Sequence, residues 1–185
     1  MPSESLNANY PSLSAYTPGD RDAVIRLIAE RFRDVGMTLD LEGDDRDLGD
    51  IPQYWQDAGG EFMLLKLKGE LLGTLAARRV KEHPYTAEFD WFYLSPSAEG
   101  KGLSPYLMHW GLSWCLTHGI KTVELWTGEG RKGAHSIYRK IGFAHNGVKR
   151  QVRDNPPYHL LFYKLEINDE SAARLHKFFE RLTNR

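Results

Sequence analysis

The spacing of apolar side chains changes from a helical to an extended pattern within the first hundred residues. Residues 18–36 carry apolar side chains three or four positions apart and end at Gly36, which predicts an amphipathic helix. An acidic loop at 40–50 and a short helix near 51–55 follow. From residue 61 the pattern becomes that of extended chain. It predicts a meander of three strands, at residues 61–67, 71–80 and 85–94.

The second half of the chain alternates between helical and extended patterns. Ser104 and Pro105 suit the N-cap and first position of a helix that runs to Gly119. The order of these elements predicts an antiparallel sheet that is joined by one parallel β-α-β unit. Such an order is typical of a mixed α/β or α+β sandwich. The later predicted elements are a strand at 121–127, a helix at 134–143, a loop at 151–160 between the last two strands, a strand at 157–167 and a helix at 169–182.

A chain of 185 residues is most simply one domain. We expect a polar tail at 1–11, a domain at 12–166 and a C-terminal amphipathic helix at 167–185. That helix packs on the domain or on a partner subunit. Its apolar positions are Ala172, Leu175, Phe178, Phe179 and Leu182.

Charge and cysteine content exclude several classes of protein. Lys and Arg total 24 against 25 Asp and Glu, so no basic excess points to a nucleic-acid partner. Cys115 is the single cysteine, which excludes an intramolecular disulfide and a cysteine-rich zinc site. The histidines are scattered, and no metal site is indicated. The sequence contains no apolar run of roughly 20 residues and no secretion signal, so we expect a cytoplasmic protein without a membrane span.

Residues 95–104, SPSAEGKGLS, link the third predicted strand to a helix N-terminus. Such a position binds anions because the first N–H groups of a helix lack intrahelical acceptors and the helix dipole favours negative charge. Gly100 and Gly102 remove side chains that would hold a phosphate away, and Lys101 adds a cation. The alternative is a strand-to-helix turn that needs glycine only for its backbone angles.

Two runs in register resemble the signature of the GNAT acyltransferase superfamily. In FYLSPSAEGKGLS, Glu99, Gly102 and Ser104 stand at the positions of the family's Gln/Arg-x-x-Gly-x-Gly/Ala motif. The resemblance implies an α/β fold with a central, mostly antiparallel sheet, one splayed parallel strand pair, helices on both faces and an added C-terminal helix. The family's second run, Asn-x-x-Ala-x-x-Leu-Tyr-x-x-x-Gly-Phe, aligns with Arg131, Ala134, Ile137, Tyr138, Gly142 and Phe143.

The resemblance also implies that acetyl-CoA is the acyl donor and where it binds. Its pyrophosphate would lie on the amides from Gly100 to Ser104, and its pantetheine arm would pair with the strand near Phe92 and Leu94. Glu99 departs from the family by placing a carboxylate near the pyrophosphate, where repulsion would weaken binding. The implied cofactor-binding residues are Phe92, Leu94, Glu99, Gly100, Lys101, Gly102, Leu103, Ser104, Ala134 and Arg131, the last in place of an Asn.

Acyl transfer to an amine needs a base, donors for the oxyanion and an acid for the leaving thiolate. Tyr138 stands at the family's tyrosine position, which implies the acid; alternatively it packs its helix on the sheet.

Glu88 and Asp90 share one face of a predicted strand. Glu88 precedes Glu99 by eleven residues, the spacing of the base in the family's histone-modifying branch. Solvated carboxylates on an outer face are the alternative. Oxyanion donors are expected among the N–H groups near 93–94.

These features predict an N-acetyltransferase that moves acetyl from acetyl-CoA to a primary amine by direct attack. The acceptor is a small-molecule or a protein amine, and the enzyme is a monomer or homodimer. The alternative is a binding or sensory module of the same fold in which Glu99 has weakened the cofactor loop.

A literal G-x-G-x-x-G at 128–133 comes too late for a dinucleotide site. The loop at 40–50 fails as an EF-hand and suits a solvated loop or a lid for a cationic amine.

Overall fold

A computed structural model describes residues 10–154, 157–168, 170–173, 177, 179 and 180. Short 3-10 turns lie at Pro18–Asp20 and Pro96–Ala98, and a π-helical turn lies at Pro52–Gln56. The helices are α1 (Arg21–Arg33), α2 (Arg46–Gly49), α3 (Ser104–Thr117) and α4 (Lys132–Ile141). The strands are β1 (Ser12–Ala15), β2 (Glu61–Leu67), β3 (Glu70–Val80), β4 (His83–Leu94), β5 (Thr122–Gly128), β6 (Ala144–Asp154) and β7 (Pro157–Glu166).

The strands form one seven-stranded sheet in the order β1-β2-β3-β4-β5-β7-β6. β4 and β5 are parallel, with a register that runs from Thr86 opposite Thr122 to Phe89 opposite Leu125. α3 makes the crossover that a parallel pair requires. β1 with β2, β5 with β7, and β6 with β7 are antiparallel. The predicted mixed α/β fold, with a parallel pair in an otherwise antiparallel arrangement, is confirmed.

At the margins of the sheet, one strand was not predicted and one prediction is wrong. The sequence pattern did not indicate β1, and the predicted loop at 151–160 is mostly strand, because β6 continues to Asp154 and β7 begins at Pro157. β6 carries exposed side chains from Ala144 to Val152 and two shifts of register. A strand held by backbone hydrogen bonds at a sheet edge needs no apolar alternation, so its sequence lacks the usual signal.

The predicted C-terminal helix is described only in part. Residues 170–173 are helical. The predicted apolar positions Leu175, Phe178 and Leu182 lie outside the described residues, as does most of the predicted tail at 1–11. In the part of the chain that the structure covers, no helix has the length and apolar character needed to cross a membrane.

The chain divides into two compact units. The first comprises the chain up to Ala76 together with Trp91–Leu107, and the second comprises Ala77–Asp90 with the chain from Met108. The core of the first unit forms around the predicted stripe of α1. Burial of each large apolar side chain contributes about 1.5–3 kcal/mol. The core residues are Tyr16, Val24, Leu27, Ile28, Phe32, Leu48, Ile51, Trp55, Phe62, Leu64, Ala76 and Trp91.

The core of the second unit contains the apolar face of α4. Burial of this face agrees with the helical spacing of the apolar side chains in its sequence. Gly142, with φ 114°, ends the helix in a left-handed conformation, and its N–H donates to the carbonyl of Tyr138. Buried members of this unit include Val123, Leu125, Ile137, Tyr138, Ile141, Phe143, Tyr163 and Leu165.

Candidate functional site

The glycine loop, defined as residues 95–104, joins β4 to α3. After the 3-10 turn, Gly100 and Gly102 each have φ +71°, and a Cβ added to either would meet nothing within 4 Å. The backbone angle, and not crowding, therefore requires glycine at both positions. The two left-handed residues frame Lys101, whose N–H donates to the carbonyl of Ala98 at 3.4 Å.

Four N–H groups of this loop, those of Gly100, Gly102, Leu103 and Ser104, have no acceptor among the residues that the structure describes. N–H groups that no protein acceptor uses are able to bind an anion, and the first turn of a long helix adds the positive end of its dipole. α3 has 14 residues and starts at Ser104. This arrangement suits a doubly charged phosphate group.

Glu99, which departs from the family motif, forms an ion pair with α1. The guanidinium of Arg31 donates from one nitrogen to Glu99 Oε1 at 2.6 Å and lies 3.0 Å from Asp34 Oδ2 through the other. The Arg31 side chain is 11% exposed and that of Glu99 is 56% exposed. The carboxylate therefore has a positive partner, and the glycine loop is held against α1.

The end of β4 has an unusual backbone. Trp91 has φ +52°, which is a strained value for a bulky side chain. The buried hydroxyl of Thr74 donates to the Trp91 carbonyl at 2.6 Å. Phe92 and Leu94, the predicted contacts of the pantetheine arm, follow directly and are half-buried. A Cβ on Gly73 of β3 would lie 2.6 Å from Leu94 Cδ2, so glycine is required for close packing there.

Glu88, the predicted base, lies on β4 within the second unit. Arg78 of β3 donates to Glu88 Oε2 from Nε at 3.0 Å and from a terminal nitrogen at 2.8 Å. The two side chains are about one third exposed. Glu124 stands opposite Glu88 in the parallel register. The structure therefore places Glu88 in an ion pair beside a second acidic position on β5.

Tyr138, the predicted acid, is 3% exposed on α4. Its ring lies 5.6 Å from that of Phe143 and 5.5 Å from that of Tyr163. Arg131 and Ala134, the predicted cofactor contacts of this segment, stand at the N-cap and in the first turn of the same helix. Both are half-buried, so both have surface available to a ligand.

Two buried hydrogen bonds of His135, which the sequence did not indicate, lie beside Tyr138. His135 Nε2 lies 2.9 Å from the carbonyl of Gly128, and His135 Nδ1 lies 2.8 Å from the hydroxyl of Tyr163. Because a carbonyl only accepts, Nε2 donates, and in the neutral ring Nδ1 accepts from Tyr163. These hydrogen bonds connect the first turn of α4 to the end of β5, at Gly128, and to Tyr163 within β7. A histidine on a helical face gave no signal that could separate this role from ordinary packing.

The literal G-x-G-x-x-G at 128–133 is a tight connection between β5 and α4. The carbonyl of Gly128 accepts from Arg131 N–H at 2.9 Å, and Lys132 N–H donates to Gly130 at 3.0 Å. The hydroxyl of Tyr158 occupies the space that a Cβ on Gly128 would need. Packing therefore accounts for Gly128 without a dinucleotide.

Neither a metal centre nor a reactive thiol emerges from the residues that the structure covers. His, Cys, Asp and Glu side chains nowhere form a group of three that would hold a metal ion in that part of the chain. Cys115 is fully buried, and desolvation raises the pKa of its thiol to about 12. A thiol with so high a pKa is protonated at neutral pH and is a poor nucleophile.

Comparison with known sequences identifies the family. Residues 22–143 match the Acetyltransferase (GNAT) family, and this range is well over half of the chain. N-acetylaspartate synthetase from Homo sapiens is 31% identical over 103 residues, which are 55% of this chain and 34% of that protein. Mycothiol acetyltransferase from Cellulomonas flavigena is 29% identical over 158 residues, 79% of this chain and 43% of that protein. The chain spans less than half the length of these curated relatives.

Solved structures show the same fold at low sequence identity. An acetyltransferase from Streptococcus agalactiae has a TM-score of 0.72 and 18% identity, covering 85% of this chain and 98% of that one. The protein yncA from Salmonella typhimurium, solved with its cofactor acetyl-CoA, has a TM-score of 0.69 and 17% identity, covering 87% of this chain and 96% of that one. With the family match over residues 22–143, and as the two sequence motifs predicted, this chain belongs to the acetyltransferase (GNAT) family.

Proposed function

We propose that this protein transfers an acetyl group from acetyl-CoA to a primary amine by direct attack. The observation that carries the proposal is the glycine loop, in which four N–H groups without a described acceptor meet the N-terminus of α3 in a chain of the GNAT family. The acetyl-CoA in yncA supports the choice of donor. The relatives named as acetyltransferases or as N-acetylaspartate synthetase support the reaction class.

The cofactor residues divide into three groups by the part of acetyl-CoA they hold. The N–H groups from Gly100 to Ser104, with Lys101 nearby, bind the pyrophosphate. The strand around Phe92 and Leu94 aligns the pantetheine arm. Arg131 and Ala134, at the start of α4, are the third group of proposed cofactor contacts. Glu99 does not repel the pyrophosphate strongly, because Arg31 compensates its charge at 2.6 Å.

The reaction requires three proton and charge movements. The amine nitrogen attacks the thioester carbon, and backbone N–H groups near the end of β4 stabilise the oxyanion, which re-forms the carbonyl as the C–S bond breaks. Glu88 takes a proton from the amine, and Tyr138 gives one to the leaving thiolate of coenzyme A. Holding both reactants in one geometry supplies much of the remaining rate enhancement. The acceptor is a small-molecule or a protein amine, and L-aspartate heads the panel because one relative is an N-acetylaspartate synthetase.

Thermal unfolding with added ligand tests the binding half of the proposal. Acetyl-CoA at 100 times its dissociation constant stabilises a folded protein by about 2.7 kcal/mol, which raises the midpoint by several degrees for a chain of this size. NADH and buffer serve as controls. Absence of any shift at millimolar acetyl-CoA would refute the proposal.

Two glycine variants make that test specific to the loop. Gly102→Ala and Gly59→Ala both place alanine at a positive φ, +71° and +76°, in open space. They carry the same backbone penalty, so we expect equal losses of stability, whereas only Gly102→Ala weakens acetyl-CoA binding. Release of coenzyme A with a panel of L-aspartate, glucosamine, spermidine and a lysine peptide then tests catalysis. Binding without turnover on any amine would favour the binding module.

A further inference from the structure

One carboxylate oxygen in the first unit accepts hydrogen bonds from two indoles. Asp47 Oδ2 in α2 lies 3.1 Å from Trp55 Nε1 and 2.8 Å from Trp91 Nε1. An indole nitrogen only donates, so the direction of both bonds is certain. Trp55 is fully buried and Trp91 is 6% exposed. Hydrogen bonds to an ionised acceptor in such surroundings are strong and directional.

The second indole belongs to the residue with the strained backbone. Trp91 has φ +52° inside β4, and such conformations persist only where the surroundings hold them in place. Thr74 holds the Trp91 carbonyl at 2.6 Å, Phe32 stacks on its ring with centroids 6.2 Å apart, and Asp47 holds the indole N–H. Asp47 is the one charged group of these three. It fixes the far end of the side chain and so limits how Trp91 can rotate.

We propose that Asp47 is a positioning residue for acyl transfer, acting through the indole of Trp91. The inference rests on the proposed function, in which the last residues of β4 align the thioester and stabilise its oxyanion. The dihedral angles of Trp91 set the orientation of the peptide groups that follow it, up to Leu94. Small misplacements of such groups reduce rates strongly, because oxyanion stabilisation depends on donors aimed at the developing charge.

A set of variants separates this role from simple packing. Asp47→Leu removes the acceptor at similar size, Asp47→Asn retains an oxygen acceptor, and Trp91→Phe removes the N–H but retains the ring. Asp45→Asn is the matched control, because Asp45 accepts from the Asp40 N–H at 2.8 Å and neither indole donates to it. Each variant is measured for acetyl-CoA affinity by calorimetry and for turnover with the panel amine that is acetylated fastest.

We expect Asp47→Leu to lower kcat on the order of 10- to 100-fold, whereas the acetyl-CoA dissociation constant changes far less, because most of the cofactor contacts lie on the glycine loop. Asp47→Asn retains most of the activity and Asp45→Asn all of it. In the Trp91→Phe background, Asp47→Leu adds little further loss of kcat, because the bond to the Trp91 indole is already absent and only the bond to Trp55 remains to be lost. A loss of affinity in parallel with kcat, or independent losses from the two substitutions, would overturn the proposal.

An NMR readout tests the bond itself without any activity. In the ¹H–¹⁵N spectrum of the ¹⁵N-labelled full chain, the indole N–H signals of Trp55 and Trp91 lie downfield and exchange slowly, and both features disappear in Asp47→Leu. Indole signals that are unchanged by Asp47→Leu would disprove the hydrogen bonds. If wild-type protein fails to bind acetyl-CoA while these signals behave as expected, the proposed function is wrong although the indole hydrogen bonds are real. Without acetyl transfer there is no kcat to compare, so the positioning role of Asp47 would then be wrong as well.

Discussion

Arg31 and Glu99, 68 positions apart in sequence, form a 2.6 Å hydrogen-bonded ion pair that ties α1 to the glycine loop. The pair explains why a carboxylate is tolerated beside the proposed pyrophosphate site. Arg31 is nearly buried, so its charge is less screened by solvent than that of a surface arginine. Arg31, which also pairs with Asp34, therefore reduces the repulsion between Glu99 and an anion bound on the loop.

A double-mutant cycle on this pair tests its effect on binding. We expect Arg31→Met to weaken acetyl-CoA binding by about 1 kcal/mol, roughly fivefold, because Glu99 then faces the pyrophosphate without compensation. Glu99→Gln alone changes affinity little, and the double variant restores it. Calorimetric titration with acetyl-CoA checks all three. Asp34→Asn, which removes the ion pair between Arg31 and Asp34, is the control and leaves affinity unchanged. Tighter binding by Glu99→Gln alone would show that Arg31 does not compensate the charge of Glu99.

Tyr138→Phe tests the proposed acid. Phenylalanine preserves the ring contacts with Phe143 and Tyr163 but cannot protonate a thiolate. We expect turnover to fall by about 10²- to 10⁴-fold with acetyl-CoA affinity unchanged. Steady-state kinetics with calorimetry separates the two quantities. Turnover close to that of the wild type would assign Tyr138 to packing alone.

Removing the buried hydrogen bonds of His135 is expected to lower the stability of the protein. His135→Phe leaves the Tyr163 hydroxyl without its acceptor and removes one donor from the Gly128 carbonyl. An unpaired buried hydroxyl costs about 1–3 kcal/mol, and each kcal/mol lowers the melting temperature by roughly 2–4 °C for this chain length. In the Tyr163→Phe background the same substitution costs less, because no hydroxyl is left unpaired. Equal costs in both backgrounds would show that this hydrogen bond contributes nothing.

Gly73 and Gly133 form a matched pair for opposite effects on stability. A Cβ on Gly73 would lie 2.6 Å from Leu94 Cδ2 and 2.8 Å from the Tyr93 carbonyl, so Gly73→Ala destabilises by about 1–3 kcal/mol. Gly133 is the second residue of α4 with nothing within 4 Å of its Cβ position, so Gly133→Ala stabilises by at most the roughly 0.5–1 kcal/mol that alanine gains over glycine in a helix interior. Urea denaturation measures both. Destabilisation by both substitutions would contradict the packing described for α4.

Replacing Asp45 by asparagine is expected to increase the stability of the protein in a pH-dependent way. Burial raises the pKa of its carboxyl, and the nearby charges of Asp47, Asp44 and Asp40 add to the effect. A raised pKa in the folded state means that the protonated form favours folding, and that this contribution is lost as pH rises through the folded pKa. Asp45→Asn, which keeps an oxygen for the Asp40 N–H, therefore stabilises the protein at pH 7 and has little effect near pH 3. Thermal unfolding across that range checks the trend, and a constant difference would contradict it.

Local sequence signals determined most elements of this fold. The change of apolar period at residue 61, Ser104 and Pro105 at the start of α3, and Gly142 at the end of α4 each act within a few residues, so they can be read without the fold. The order of helices and strands then implied the parallel step between β4 and β5. Gly100 and Gly102 likewise indicated a special backbone conformation.

The tertiary structure alone decided which side chains meet. The pairs Arg31 with Glu99, Trp91 with Asp47 and His135 with Tyr163 join residues 68, 44 and 28 positions apart. Strands β1 and β6 at the sheet edges are held by backbone bonds that any sequence can form. The sequence by itself determined α1, α3 and α4, the inner strands and the glycine loop, because turns and periodicity are local, but it did not predict α2 within the acidic loop at 40–50. Ion pairs, indole bonds and edge strands depend on distant partners, which only the folded chain brings together.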